Sequence, residues 1–293
     1  MTGVIIVDKP EGWTSHDVVA KLRGVLGERR VGHGGTLDPM ATGILPVFVG
    51  RATRAVELSS SADKEYVAGL RLGITTDTQD VTGSLLTSRE VSVGEDEVRE
   101  ALARFTGEQT QIPPMYSAVK VDGKRLYQLA RQGVEIPREP RNITIRSLEL
   151  AGSVNGDYYL RVVCSKGTYV RTLCADIGAY LGCGGAMASL RRTRVGAFGI
   201  LAAHELDVII DAAEQGGLGD LLLPVDALFN DLPAFTADAE REHRCRSGAA
   251  FFCPGTADGR YRVYGESGEF LMVGEAAGER MYIVKNFFEA QVK

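Results

Sequence analysis

Short apolar stretches that alternate like β-strands outnumber helical stretches in this chain, and the two kinds are interleaved from end to end. The strand patterns occupy residues 3–7, 44–49, 66–72, 143–150 and 158–164. Helical spacing of apolar side chains marks residues 15–27, 98–105 and 169–181. Ser15 is the expected N-cap of the first helix, and Gly27 its end. This mixture predicts an α+β fold with a mixed, mostly antiparallel sheet flanked by helices.

The last part of the chain has a pattern of its own. Residues 224–238 are predicted to be a linker. Three short strands separated by glycine turns follow it, over residues 261–264, 270–274 and 281–284. They predict a small β-barrel of about 60 residues, near the lower size limit for folding alone. We therefore expect two domains, residues 1–229 and 230–293.

Charge is distributed unevenly along the 293 residues, whose net charge is −5. Residues 205–242 are strongly acidic, whereas residues 120–146 and 161–194 are basic. Within the first basic stretch, residues 122–141 are predicted to leave the sheet and to carry a short helix over residues 125–132. A polyanion could bind the basic stretches while the acidic one faces away. Ordinary solvated surfaces would show the same pattern, so charge alone leaves nucleic-acid binding open.

The cysteines and the apolar runs argue against several classes of protein. The chain has five cysteines, an odd number without C-x-x-C spacing, so neither disulfides nor a zinc site is expected. No run of 18 apolar residues predicts a transmembrane helix, and the N-terminus lacks the features of a signal peptide. A cytoplasmic location is therefore expected.

A glycine-rich loop from Val31 to Gly43 is the most informative segment for chemistry. Glycines allow unusual backbone dihedrals and close approach of a ligand. Pro39 restricts the preceding Asp38 to extended conformations, which would hold its carboxylate in one direction. Taken alone, Asp38 could be a nucleophile, a general base or the former of an Asx turn, and the residue type favours the turn.

The same loop, in the form Gly-His-Gly-Gly-Thr-Leu-Asp-Pro-Met-Ala-Thr-Gly over residues 32–43, resembles the catalytic motif of the TruB family of tRNA pseudouridine-55 synthases. Four other segments resemble family motifs in the expected order. They are Lys-Pro-Glu-Gly-Trp-Thr-Ser at 9–15, Lys-Glu-Tyr at 64–66 with Leu-Gly at 72–73, Ser-Lys-Gly-Thr-Tyr-Val-Arg-Thr-Leu at 165–173 and Leu-Arg-Arg-Thr at 190–193. The tail resembles the family's PUA-like RNA-binding domain.

The resemblance implies roles for three catalytic residues. Asp38 is then the nucleophile that isomerises uridine 55, and Arg171 the cation that pairs with it. Tyr66 is implied to stack on the flipped base, and its hydroxyl could shuttle the proton that leaves C5. Without the resemblance, Tyr66 would be an ordinary cross-strand aromatic residue and Arg171 an ordinary surface cation.

The resemblance also implies residues that bind the substrate or support the loop. His33 would help to displace the target uridine, and Leu190 and Tyr169 would line the base pocket. Lys9 and Pro10 would support the catalytic loop, and Asp80 would lie in a substrate-contacting acidic segment. Residues 122–146 resemble a thumb-like insertion that closes over RNA. Its cations Lys124, Arg125 and Arg131 would contact phosphates.

The implied reaction needs no cofactor and no metal, because the isomerisation is redox-neutral and the nucleophile belongs to the protein. The implied partner is the T-loop and stem of tRNA, bound by a monomer. An alternative is a protein that binds or folds RNA without catalysis. A glycosidase would require a second carboxylate as acid, and the sequence offers no convincing one.

Overall fold

The structure is a computed structural model that describes residues 1–121 and 123–288. Its main body contains fourteen strands among these residues. They are β1 (Gly3–Lys9), β2 (Val31–His33), β3 (Thr42–Val49), β4 (Lys64–Leu72), β5 (Ile74–Thr76), β6 (Leu85–Ser88), β7 (Gly107–Gln111), β8 (Lys120–Val121), β9 (Lys124–Arg125), β10 (Arg141–Val154), β11 (Asp157–Cys164), β12 (Gly185–Val195), β13 (Phe198–Gly199) and β14 (His204–Glu205). Six helices accompany them: α1 (Ser15–Leu26), α2 (Val56–Ser59), α3 (Glu95–Arg104), α4 (Leu126–Ala130), α5 (Val170–Tyr180) and α6 (Leu206–Glu214).

Ten of these strands form one sheet in the order β14-β1-β3-β12-β4-β11-β10-β7, with β2 paired to β3 and β13 paired to β12. Only the β1–β14 and β3–β12 pairs are parallel. The α+β prediction, with a mixed and mostly antiparallel sheet, is therefore confirmed. Two pairs form separate small ribbons, β5 with β6 and β8 with β9.

Apolar side chains hold helices against this sheet. One cluster joins the side chains of α3 and α5 to those of β4, β10, β11 and β12. A second cluster joins α1 and α6 to β1 and β3. The amphipathic spacing that predicted α1, α3 and α5 thus reflects real burial of one face of each helix. All five cysteines are buried free thiols, as their apolar setting predicts.

The start of α1 differs from the prediction in an instructive way. Thr14, not Ser15, is the N-cap: its backbone is extended, and it forms a capping box with Asp17. Ser15 is buried inside the first turn, where its Oγ donates to the Leu37 carbonyl and accepts from the Leu37 N–H at 3.2 and 2.8 Å. The helix therefore pins the residue that precedes Asp38.

The C-terminal part forms a separate curled sheet of five strands, which confirms the predicted small β unit. Its elements are β15 (Ala234–Thr236), β16 (Phe251–Phe252), β17 (Gly259–Tyr264), β18 (Phe270–Ala277), β19 (Arg280–Asn286) and the helix α7 (Ala239–Arg246). The last positions of the predicted domain, 289–293, lie outside the described residues. The described residues include no helix long and apolar enough to cross a membrane.

The segment 224–238, predicted to be a linker, contains regular elements with buried side chains. Val225–Phe229 forms a 3₁₀ helix, and β15 pairs in parallel with β17. Val225 and Phe229 are buried in an apolar cluster that also contains Phe48 of the main sheet and Val273 of the C-terminal sheet. Because side chains of both sheets are buried in this one cluster, the cluster holds the two sheets together.

The basic excursion is a small structure of its own beside the sheet. The ribbon of β8 and β9 leads into α4, which is shorter than the helix predicted over 125–132. Asp122, the first residue of the predicted insertion, lies outside the described residues. At the other end, Arg141–Ile145 already pairs with β7 in the main sheet.

Candidate active site

The loop that carries Asp38 is held between β2 and β3 by backbone geometry that requires glycine. Gly35 and Gly43 have φ values of 94° and 96°, which side chains with a Cβ rarely adopt. A Cβ on Gly43 would also collide with the backbone of Arg192 on the neighbouring strand β12. The loop can therefore return to the sheet only through a glycine at this point.

Asp38 faces a buried guanidinium. Arg171 Nε lies 3.0 Å from Asp38 Oδ2, and Arg171 Nη2 donates to Asp38 Oδ1 at 3.4 Å. The arginine side chain is 7% exposed and the aspartate side chain 35% exposed. The carboxylate is thus held by an ion pair and one hydrogen bond to one planar group, while part of it stays open to a substrate. The predicted pairing of these two residues is present.

The same guanidinium is anchored on its other sides. Its Nη1 donates to the Thr78 carbonyl at 3.2 Å, and its Nη2 donates to the Tyr116 carbonyl at 2.8 Å. Its Nη1 also lies 3.5 Å from Asp80 Oδ2. Arg171 therefore cannot turn away from Asp38 without breaking several buried contacts.

Asp80 lies behind the arginine and not in the open part of the site. Its side chain is 6% exposed, and its Oδ1 accepts from the Thr78 hydroxyl and from both the N–H and the hydroxyl of Thr82. A carboxylate held in this way is not available as the acid of a glycosidase. It supports Arg171, and the substrate contact that the resemblance implies stays a prediction.

Tyr169 is the N-cap of α5, two residues before Arg171, and one side chain binds both its backbone N–H and its carbonyl. The buried Gln111 amide accepts from Tyr169 N–H at 2.7 Å and donates to its carbonyl at 3.0 Å. Gln111 ends β7, so this clamp joins the start of α5 to the edge of the sheet. Sequence reasoning missed Gln111, because nothing in the sequence signals a partner 58 positions away.

Lys9 is fully buried beside the loop. Its Nζ donates to the carbonyls of Pro10, Trp13 and Pro39, at 2.8, 2.6 and 3.3 Å. Burial lowers the pKa of Lys9 to about 8, and the Asp38 carboxylate opposes that change. The ammonium thus connects the turn after β1 to Pro39, the residue that follows Asp38.

Replacing Lys9 with methionine is expected to lower the free energy of unfolding by about 2 kcal/mol, because three carbonyls lose their donor. The loop beside Asp38 should loosen with it, so turnover should fall as well. The matched control is Lys21→Met on the exposed side of α1. Denaturant unfolding of both variants tests this, and equal stability of the two would contradict it.

Tyr66 and Leu190 lie on neighbouring strands and belong to the same apolar cluster as Leu37 of the loop. Tyr66 is partly exposed, and Leu190 is buried. Burial of the phenol raises the pKa of Tyr66, while the Arg192 guanidinium opposes the rise. The hydroxyl is therefore protonated at neutral pH. The structure brings these two predicted residues together with the loop.

His33 and Pro10 lie at the margins of the loop. His33 ends β2, and burial lowers its pKa, so its imidazole is neutral at neutral pH. Pro10 follows β1 directly, and its carbonyl is one of the acceptors of Lys9. A neutral ring beside the loop can stack or hydrogen-bond without adding charge to the site.

The cations of the excursion stand apart from this cluster. Lys124, Arg125 and Arg131 are exposed, and the two arginines lie over the ring of Tyr127. The excursion reaches the site through the segment before β8, where the Tyr116 carbonyl accepts from Arg171. Exposed cations on a small element beside the sheet can contact a phosphate backbone.

Burial also sets the ionisation of Asp38. Removal from water raises the pKa of its carboxyl, Arg171 counters the rise, and Asp80 adds to it. The midpoint therefore lies above the ordinary aspartate value of about 3.9. Below its pKa the group is neutral and cannot attack, so ionisation is gained as the pH rises.

We expect the rate of the chemical step to fall as the pH is lowered through this raised pKa. A single-turnover pH–rate profile from about pH 4 to 7 measures it, with RNA binding checked at each pH. A profile that is flat over this range would show that Asp38 does not need to ionise there.

Comparison with known proteins assigns this arrangement to a family. Residues 23–170 match the model of the N-terminal domain of the TruB family of pseudouridylate synthases. Residues 171–230 match the C-terminal domain of tRNA pseudouridylate synthase B. A tRNA pseudouridine synthase B of Aromatoleum aromaticum is 47% identical over 276 residues, which cover 94% of this chain and 89% of that one. The chain belongs to the TruB family. It is an isomerase of the pseudouridine synthase class, as its motifs predict.

Other members of the TruB family and more distant structures agree. The tRNA pseudouridine synthase B of Clostridium kluyveri is 40% identical over 292 residues, covering 98% of this chain and all of that one. An H/ACA RNP bound to a substrate RNA containing 2′-deoxyuridine contains a chain of the same fold, with a TM-score of 0.76 and 27% identity. That alignment covers 99% of this chain and 86% of the other. A Cbf5-Nop10-Gar1 complex gives a TM-score of 0.74 at 28% identity, over 98% of this chain and 84% of that one.

Proposed function

We propose that this chain converts uridine 55 in the T-loop of tRNA to pseudouridine, with Asp38 as the nucleophile. The observation that carries the proposal is the carboxylate of Asp38, held by the buried Arg171 guanidinium and still partly open. A nucleophile of this kind must be charged, oriented and accessible at once. The family relationship supports the substrate class.

The reaction breaks the bond from ribose C1′ to N1, turns the base and forms a bond from C1′ to C5. The proton on C5 leaves, and N1 gains one, so the change is redox-neutral. Asp38 can begin it by attacking C1′, by attacking C6 or by taking the 2′ proton, and all three routes remain open. Tyr66 would stack on the flipped base, with Leu190 lining the pocket.

The remaining contacts would position the RNA. Lys124, Arg125 and Arg131 would bind phosphates of the T-loop and stem, which sets orientation without reading sequence. The neutral ring of His33 would help to displace the target uridine, and Tyr169 would border the base pocket. Shape of the folded T-loop would supply most of the specificity.

Each of the two predicted domains has its own proposed function. Residues 1–229 would form the catalytic domain, with the thumb-like insertion at 122–146, and residues 230–293 would form a PUA-like RNA-binding domain. The enzyme would act as a monomer, without cofactor or metal. Because the family's substrate is tRNA, we infer that it works in the cytoplasm.

The test uses two transcripts of a bacterial tRNA in which every uridine carries tritium at C5. One transcript has uridine at position 55, and the other has cytidine there. Isomerisation at a uridine releases its C5 label to water. We expect about one label per molecule from the first transcript and none from the second.

Equal release from both transcripts would contradict the choice of position 55. Binding of both transcripts without any release would favour a protein that binds or folds RNA without catalysis. Release that requires an added metal or cofactor would contradict the proposal that the protein alone supplies the chemistry.

A further inference from the structure

Asp38 and Tyr66, the two residues that would act on the flipped nucleotide, belong to parts of the sheet that do not pair with each other. The loop of Asp38 ends in β3, Tyr66 lies on β4, and β12 runs between these strands. Arg192 on β12 is in register with both neighbours: its partner is Gly43 on β3 and Tyr66 on β4. The position of Asp38 relative to the Tyr66 ring therefore depends on the strand segment at Arg192.

The side chain of Arg192 binds the Asp38 loop and the start of β3. Its Nε donates to the Ile44 carbonyl at 2.6 Å, and its Nη2 donates to the Gly35 carbonyl at 3.1 Å, three residues before Asp38. Tyr66 is the residue directly opposite Arg192 on β4, so the two side chains lie on the same face of the sheet. One planar group thus binds the loop and the start of β3 beside the ring of Tyr66.

The burial of this group needs an explanation. Arg192 is 1% exposed, so its cation has lost its hydration. In the part of the chain that the structure describes, no carboxylate lies within ion-pair distance of it, in contrast to Arg171 and Arg191. A buried cation without an ion pair is costly in free energy. The geometry of the guanidinium explains why an arginine is buried here, because its N–H donors lie in one plane and point in fixed directions.

We propose that Arg192 is a positioning residue that fixes the Asp38 loop relative to the Tyr66 ring. It acts through these two elements and does not touch the RNA. The inference rests on the proposed function, in which the nucleophile and the stacking ring must meet one nucleotide at a fixed separation. A misplacement of about 1 Å in such a site lowers the rate about 100-fold.

The experiment measures C5 label release in single turnover, together with tRNA affinity and thermal unfolding. The variants are Arg192→Gln, Arg192→Lys and the matched control Arg194→Gln, a partly exposed arginine two positions along the same strand. We expect Arg192→Gln to release label about 100-fold more slowly, with affinity within about threefold of wild type. Arg194→Gln should stay near the wild-type rate.

A double-mutant cycle with Tyr66→Leu, which removes the ring, separates positioning from general support of the fold. If Arg192 acts by fixing the loop relative to the ring, Arg192→Gln should slow release much less in the Tyr66→Leu background than in wild type. Full additivity of the two losses would overturn the proposal, and so would a wild-type rate for Arg192→Gln.

Two safeguards keep the test decisive. If Arg192→Gln does not fold, Arg192→Lys carries the cycle, because lysine keeps the charge but lacks the planar fork of N–H donors. If Tyr66→Leu releases no label at all, equal losses in Arg192→Gln and Arg194→Gln would overturn the proposal. Absence of release by the wild type would instead mean that the proposed function has failed.

Discussion

Replacing Arg171 with methionine is expected to slow isomerisation by about 100- to 1000-fold and to lower the free energy of unfolding by about 3 kcal/mol. The guanidinium is the common partner of Asp38, Asp80 and two backbone carbonyls. Its loss leaves two neighbouring carboxylates without their cation, in a site that already disfavours charge. Both turnover and stability therefore depend on one residue.

The loss should also change how the site responds to pH. Arg171 lowers the pKa of Asp38, so its removal lets burial raise that pKa further. The midpoint of the residual pH–rate profile should consequently move upward in Arg171→Met. The matched control is Arg161→Met, an exposed arginine paired with Glu65, for which surface ion pairs predict a stability change of at most about 1 kcal/mol. Similar stability losses in the two variants would contradict the account.

Replacing Asp38 is expected to have the largest effect on the reaction. Asn keeps the size of the side chain but has no charge and no nucleophilic oxygen, so turnover should fall by about 10⁴-fold or more. Glu keeps the charge but moves the carboxylate by one methylene, out of the geometry set by Arg171 and Pro39. We expect about a 100-fold loss or more from that shift alone. Single-turnover label release compares them, and Asp38→Glu at the wild-type rate would contradict the need for exact placement.

The sequence anticipated the fold where local pattern and burial agree. Alternating apolar residues predicted strands such as β4 and β11, because one face of each contributes to the apolar cluster. Amphipathic spacing predicted α3 and α5, because the apolar face of each helix packs on the sheet. The motif resemblance also named the two residues whose side chains meet at the centre, Asp38 and Arg171. Those residues are 133 positions apart, which no local pattern can connect.

What the sequence did not predict depends on contacts between distant segments. Ser15 looked like a helix cap because its residue type favours caps, but its hydroxyl holds Leu37 instead. Residues 224–238 were predicted to be a linker, whereas Phe229 is buried in an apolar cluster with residues of both sheets. Arg192 lies in a basic stretch and in the segment 190–193 that resembles a family motif, but neither pattern assigned it a role. Only the pairing of β12 with two different strands shows its burial and its partners.

The most direct test of the central claim compares wild type with Asp38→Asn on a tRNA transcript labelled with tritium at C5 of its uridines. Affinity is measured first, so that release is compared at protein concentrations that saturate the transcript in both cases. The account predicts equal binding, with rapid release of label by the wild type and none above background by Asp38→Asn. Equal release by both proteins would show that Asp38 is not the nucleophile.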